Sequence, residues 1–164
     1  MIAARLLQRV ESNWEAIALA VISSRNQDPA LSSYRALSDH EIRDRVRDLT
    51  TNLGRWLCTK DDTSIALHYE ELGRTRYAQA IPLHEVILKV ISIKRAIRTY
   101  VSEQNYNLSP VDIYDELELL RAMAGYFDFV IYRVAKGYEG AMRLTADPGA
   151  SRSSEFASAR AQSA

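Results

Sequence analysis

Along most of the chain, apolar residues return every three or four positions, the spacing that lays them on one side of an α-helix. Leu6, Val10, Trp14, Ile17 and Val21 predict a first helix over 2–23, ended by the turn chemistry of Asn26, Asp28 and Pro29. Residues 30–37 read as a connector. Ser38 with Glu41 three residues later has the form of a capping box. The helix it opens turns Ile42, Val46, Leu49, Leu53 and Trp56 or Leu57 inward and frays near Lys60. Asp61-Asp62-Thr63 offers the next cap, with acidic groups where the helix dipole favours them. Ile65, Tyr69 and Leu72 form the apolar face of a helix over 64–80. Ile81-Pro82 ends it, because proline has no amide hydrogen and drives the preceding residue out of helical geometry. Pro82 also suits the first turn of a following helix, which runs to about Ser102. Leu83, Val86, Val90, Ile93, Ile97 and Val101 line that helix, and Ile87 and Ile91 widen its face enough for two neighbours.

Ser109-Pro110-Val111-Asp112 is a strong helix start: a cap, a proline at the first position, then a carboxylate. Ile113, Leu117, Leu120, Ala124, Phe127, Ile131, Val134 and Tyr138 then alternate in steps of four and three, a 3.5-residue repeat. A helix over 110–144 would span roughly 52 Å, longer than a compact domain of this size needs. Two readings stay open: a long core helix of a bundle, or a helix that leaves the core and pairs with its copy. For pairing, Phe127, Ile131, Val134 and Tyr138 are the favoured residues. Gly137 and Gly140 are expected to weaken the last turns. From Thr145 onward 11 of 20 residues are Ala or Ser, too little apolar surface to order the segment. The expected organisation is one all-α domain over 1–144 and a disordered Ser/Ala-rich tail over 145–164.

Composition narrows the function. The 164 residues are 47% hydrophobic, enough for one ordinary core. Twenty-one basic side chains balance 21 acidic ones, which argues against nucleic acid or a membrane surface as partner. No apolar run approaches the roughly 20 residues that span a bilayer, and the start does not read as a secretory signal, so the expected address is the cytoplasm. The single cysteine, Cys58, excludes an internal disulfide and a thiolate metal site.

Chemistry is sparse. His40, His68 and His84 each lack a glutamate three residues before them, so the Glu-x-x-His pairs of di-iron bundles are missing. There is no phosphate-binding loop, dinucleotide fingerprint or HExxH. No catalytic residue, metal ligand or cofactor is expected. Arg43, Arg45 and Arg47 alternate with Asp44 and Asp48 and neutralise themselves; Lys94, Arg95 and Arg98 read as a solvated face.

The run from Leu72 to Val86 differs in character. Arg74 and Arg76 sit near the C-terminal end of one helix, where its dipole favours cations, and Ile81-Pro82 forces an immediate restart. The order Leu72-Gly73-Arg74-x-Arg76, Ile81-Pro82-Leu83-x-Glu85-Val86 and Arg95-Ala96-Ile97 resembles the N-terminal domain of the RsbR/RsbRD co-antagonists of the stressosome. Trp14, the Ser38–Glu41 cap and Gly137-Tyr138 late in the last helix support the resemblance, which covers about residues 3–144. It implies a dimeric, globin-like α-fold without haem that serves as signal input, to the stressosome or to a histidine kinase, through its long last helix. Arg74, Arg76, Tyr77 and Pro82 are then the corner residues to watch. Signalling proteins and a small ligand are the implied partners. The corner also resembles that of globin-coupled sensors, in which an iron-binding histidine lies six residues before the proline. Here that position is Arg76, which cannot ligate iron. The alternative is a haem-binding gas or redox sensor using His68 or His84.

Overall fold

The computed structural model describes residues 3–59, 61–103 and 109–146, and every regular element among them is helical. The helices are α1 (Ala3–Ser12), α2 (Trp14–Gln27), α3 (Asp39–Thr59), α4 (Asp62–Ala78), α5 (Leu83–Glu103) and α6 (Pro110–Ala146). Two 3-10 turns, Pro29–Leu31 and Ser33–Ala36, join α2 to α3. The architecture is the expected all-α bundle with a long last helix. The expected tail lies, from 147 onward, outside the described residues, while Thr145 and Ala146 still belong to α6.

The single helix expected over 2–23 is two. Asn13 leaves helical geometry at ψ 23°. Its side-chain amide donates to the Arg9 carbonyl at 2.9 Å, and its own carbonyl accepts from Ala16. The Asn13 backbone amide donates to the same Arg9 carbonyl at 3.0 Å, so the side chain adds a second donor there, a back-bond of the kind that bends a helix without proline or glycine. The apolar spacing survives the break. Val10, Ile17 and Val21 are buried, and Leu6 and Trp14 pack against the same core.

The middle helices follow their sequence patterns closely. Ile42, Val46, Leu49 and Leu53 of α3, Ile65, Tyr69 and Leu72 of α4, and Val86, Val90, Ile93, Ile97 and Val101 of α5 are all buried. The Ser38 hydroxyl accepts from the Glu41 amide at 3.2 Å, and the Asp61 carboxylate accepts from the Ser64 amide at 3.2 Å. Each satisfies one orphan donor at the start of its helix.

α6 is 37 residues long, about 56 Å, and packs chiefly on α4 and α5. Its core face is not the 3.5-residue seam. Leu119, Met123, Tyr126, Phe127, Val130 and Val134 are buried, whereas Ile113 and Leu117 of the seam are 46% and 61% exposed. The seam and the core face overlap only at Phe127 and Val134, with Ile131 and Tyr138 partly buried at the margin. The helix therefore carries apolar side chains on two sides, and only one side is covered by its own chain.

Candidate functional site

The corner between α4 and α5 begins with the way α4 stops. The Ala80 amide donates to the Tyr77 carbonyl at 2.9 Å and the Ile81 amide to the Arg76 carbonyl at 3.1 Å. This is the paired closure of a Schellman motif, with Ala80 at φ 56°, where glycine usually stands. Placing a Cβ there costs about 1 kcal/mol. Pro82 lies one residue before α5 rather than within its first turn. Its carbonyl accepts from the amides of Glu85 and Val86, at 3.0 and 3.1 Å.

The corner arginines divide the work between water and the interior. Arg74 stays exposed, pairing with Glu71 at 2.8 Å. Arg76 is only 3% exposed and donates to the carboxylate of Glu41 and the amide oxygen of Gln79. Glu41 thus spends its carboxylate on Arg76 and so ties α3 to α4. The Arg76 guanidinium also lies 5.7 Å from the centre of the Tyr34 ring, and the Lys89 ammonium lies 5.9 Å from it. Burial pushes the Tyr34 hydroxyl up to about 12, against the opposing pull of Arg76 and Arg45. Glu85, buried on α5, accepts from the Ser33 amide at 2.9 Å and from the Ser33 and Ser32 hydroxyls at 2.8 and 3.3 Å.

The same corner is fastened to the end of α6. Tyr138 donates to the Ile81 carbonyl at 2.9 Å, and its ring meets Tyr77 edge-on at 5.3 Å. The Tyr77 hydroxyl bonds the Thr145 hydroxyl. One step away, α4 and α6 touch backbone to backbone. A Cβ on Gly73 would collide with the Val134 carbonyl oxygen, and one on Gly137 with the Glu70 carbonyl oxygen. α6 runs on through Gly137 and Gly140 to Ala146, and Gly137 is the notch that lets α4 come close. Beside this crossing the Glu70 carboxylate takes Arg133 at 3.0 Å, Lys136 at 3.1 Å and Arg74 at 3.8 Å. Burial raises its pKa, but the hydrogen bonds and charges of Lys136 and Arg133 outweigh that and hold it below the ordinary value.

Deeper in the core, the Asn52 amide donates to the Tyr69 hydroxyl at 3.3 Å. The Tyr69 and Tyr126 hydroxyls are 2.7 Å apart, and Tyr126 donates to the Leu49 carbonyl at 3.1 Å. Burial raises both phenols, so this relay stays neutral and joins α3, α4 and α6. Periodicity marks Tyr69 as core but carries no sign of the chain of hydroxyls.

The other sequence-marked residues fall outside the corner. Phe127 and Val134 are filled into the protomer's own core and have no surface left for a second copy. His68 is tied through Nε2 to Asp48, at 2.8 Å to one carboxylate oxygen and 3.0 Å to the other. His84 is exposed at the start of α5, and Cys58 is exposed near the end of α3. Among the described residues no three His, Cys, Asp or Glu side chains gather as metal ligands would, and no helix is long and apolar enough to cross a membrane.

The described residues form a helical bundle whose buried charges brace helices against each other, around a corner locked to a long last helix. The chain belongs to the family of the RsbT co-antagonist protein rsbRD N-terminal domain, whose family model matches residues 4–152. Its members are non-catalytic regulatory domains. Neither a curated protein nor a solved structure matches the chain.

Proposed function

We propose that this domain is a globin-like, haem-free sensory input module of the stressosome or two-component type, which acts in the cytoplasm and passes its state outward along α6. The observation that carries this reading is the fastening of the α4–α5 corner to the end of α6. Tyr138 grips Ile81, Tyr77 meets Thr145, and the helices seat on each other at Gly73 and Gly137. A shift of the corner must drag the last two turns of α6 with it. Hydrogen exchange of wild type against Tyr138→Phe tests this. Faster exchange confined to the corner and to 134–146 is expected, and unchanged protection of α6 would remove the route.

Working without haem is supported by Arg76, committed to Glu41 at the position six before Pro82, and by His68, whose Nε2 is held by Asp48. A saturable, one-equivalent Soret shift on titration with haemin would overturn that part. Pairing with a second copy is supported by the uncovered flank of α6. There the exposed Ile113, Leu117 and Met142 and the partly buried Ile131 fall on one side of the helix, with Ala124 and Ala135 between them. Of the residues first favoured for pairing, Ile131 is the one on this flank. Light scattering should give a dimer for wild type and a folded monomer for Leu117→Glu. Equal masses would refute pairing through α6. Signalling proteins would then read the paired helices.

A further inference from the structure

Between α3, α4, α5 and the second 3-10 turn lies a small, largely closed cavity of about 20 Å³. Its walls are apolar apart from Tyr34, Glu41, Arg45, Arg76 and Lys89. Lys89 is 3% exposed, and its ammonium has no hydrogen-bond partner. Its natural partner would be Glu85, four residues earlier on the same helix. That carboxylate is already held by Ser32 and Ser33. On the opposite wall, Arg45 pairs with Asp48 through one terminal nitrogen, while its buried Nε–H has no partner.

Charge leads to the same place. The lining side chains bring three cations against one carboxylate. Glu41 is matched by Arg76 and Arg45 by Asp48, while Glu85, outside the lining, is held by neutral serine groups, so the Lys89 ammonium has no ion-pair partner. The Tyr34 ring, 5.9 Å from the ammonium, offsets part of it. A buried unpaired ammonium is costly unless it loses its proton or acquires a counter-ion. Burial, with the nearby charge of Arg25 from α2, lowers Lys89 to about 8, so much of it stays protonated near neutral pH.

We propose that this cavity is a binding site for one chloride-sized monovalent anion, held by the ammonium of Lys89 and the unpaired Nε–H of Arg45, with Arg76 completing its positive wall. The volume admits a single water-sized group, so a halide fits and a phosphate or larger carboxylate does not. The ion would bridge α3 to α5 beside Arg76, and so brace the inner side of the corner. This site is independent of how α6 is read out.

The test is thermal unfolding of the full chain as chloride replaces gluconate at constant ionic strength. Gluconate is too large for the cavity. Wild type should gain stability along a single-site saturation curve. Lys89→Met keeps the side-chain volume without the charge and should raise the apparent chloride Kd at least tenfold. An identical response in the two proteins overturns the proposal. Should Lys89→Met fail to fold, anomalous diffraction from wild-type crystals grown in bromide decides alone. A bromide peak between Lys89 and Arg45 supports the site, and a water or no density there refutes it.

Discussion

The two ends of α6 are built differently. From Tyr126 to Thr145 the helix is locked: rings fill the core, Gly137 seats on α4, and Tyr138 and Thr145 hold the corner. From Pro110 to about Ala124 it rests on the core by one edge, Asp115, Leu119 and Met123, and leaves Val111, Ile113, Tyr114 and Leu117 exposed. One continuous helix thus has an end fastened by specific contacts to its own chain, with Tyr132, Met142 and Leu144 still exposed, and an end that only rests on the core by one edge. Apolar periodicity alone does not separate these roles, because both ends show it.

Substitutions can test that division, starting with the largest effect. Phe127→Ala should cost about 4 kcal/mol of unfolding free energy, the scale for emptying a buried phenylalanine site, whereas Leu117→Ala should stay within about 0.5 kcal/mol in the monomer. Comparable losses in denaturant melts would erase the difference between the ends. Next come the glycines. Gly137→Ala should destabilise by about 3 kcal/mol, since its Cβ meets backbone that cannot step aside. Gly140→Ala has open space and should stabilise by up to about 1 kcal/mol through helix propensity. Melting temperatures that move in the same direction would show that Gly137 is no notch. Tyr126→Phe, which cuts the hydroxyl relay, should cost about 1–2 kcal/mol with little change in secondary structure by circular dichroism.

The smallest effect concerns pH. The folded-state pKa of Glu70 lies below its ordinary 4.5, so its stabilising contribution is complete above that value and is lost as pH falls through the folded value. Lys136 and Arg74 are about half exposed, so screening keeps the effect under about 1 kcal/mol. Glu70→Gln should flatten the acid limb of a stability–pH curve below about pH 4.5. An unchanged limb would show that Glu70 is not charged against its partners.

Much of this was legible in the sequence. The caps at Ser38 and Asp61, the break at Ile81-Pro82, the start at Ser109-Pro110 and the inward residues of α3, α4 and α5 all follow from local chemistry and spacing. The family was legible too, because the corner combines several specific local choices. What escaped has physical reasons. The break between α1 and α2 falls at Asn13, whose side-chain amide back-bonds to Arg9, a polar detail that apolar spacing does not register. Spacing does not single out the buried face of α6, because Leu119, Met123, Tyr126 and Val130 recur in steps of four and three just as the seam through Ile113 and Leu117 does. Lys89 and Glu85 are charged residues in an apolar stretch, and only the fold reveals that both are buried and that just one is satisfied. Gly137 reads as a defect along the helix and as a socket across it.

That socket restricts how α6 can travel. Sliding α6 along α4 by one residue puts a side chain in place of Gly137 against the Glu70 carbonyl. The next residue without a Cβ is Gly140, three positions on, where nothing now lies within 4 Å. Reaching it takes a movement of about 4.5 Å along the axis with about 60° of rotation. The contact therefore works as a detent. Small displacements of α6 must pivot about it, and the nearest further seat lies three residues on.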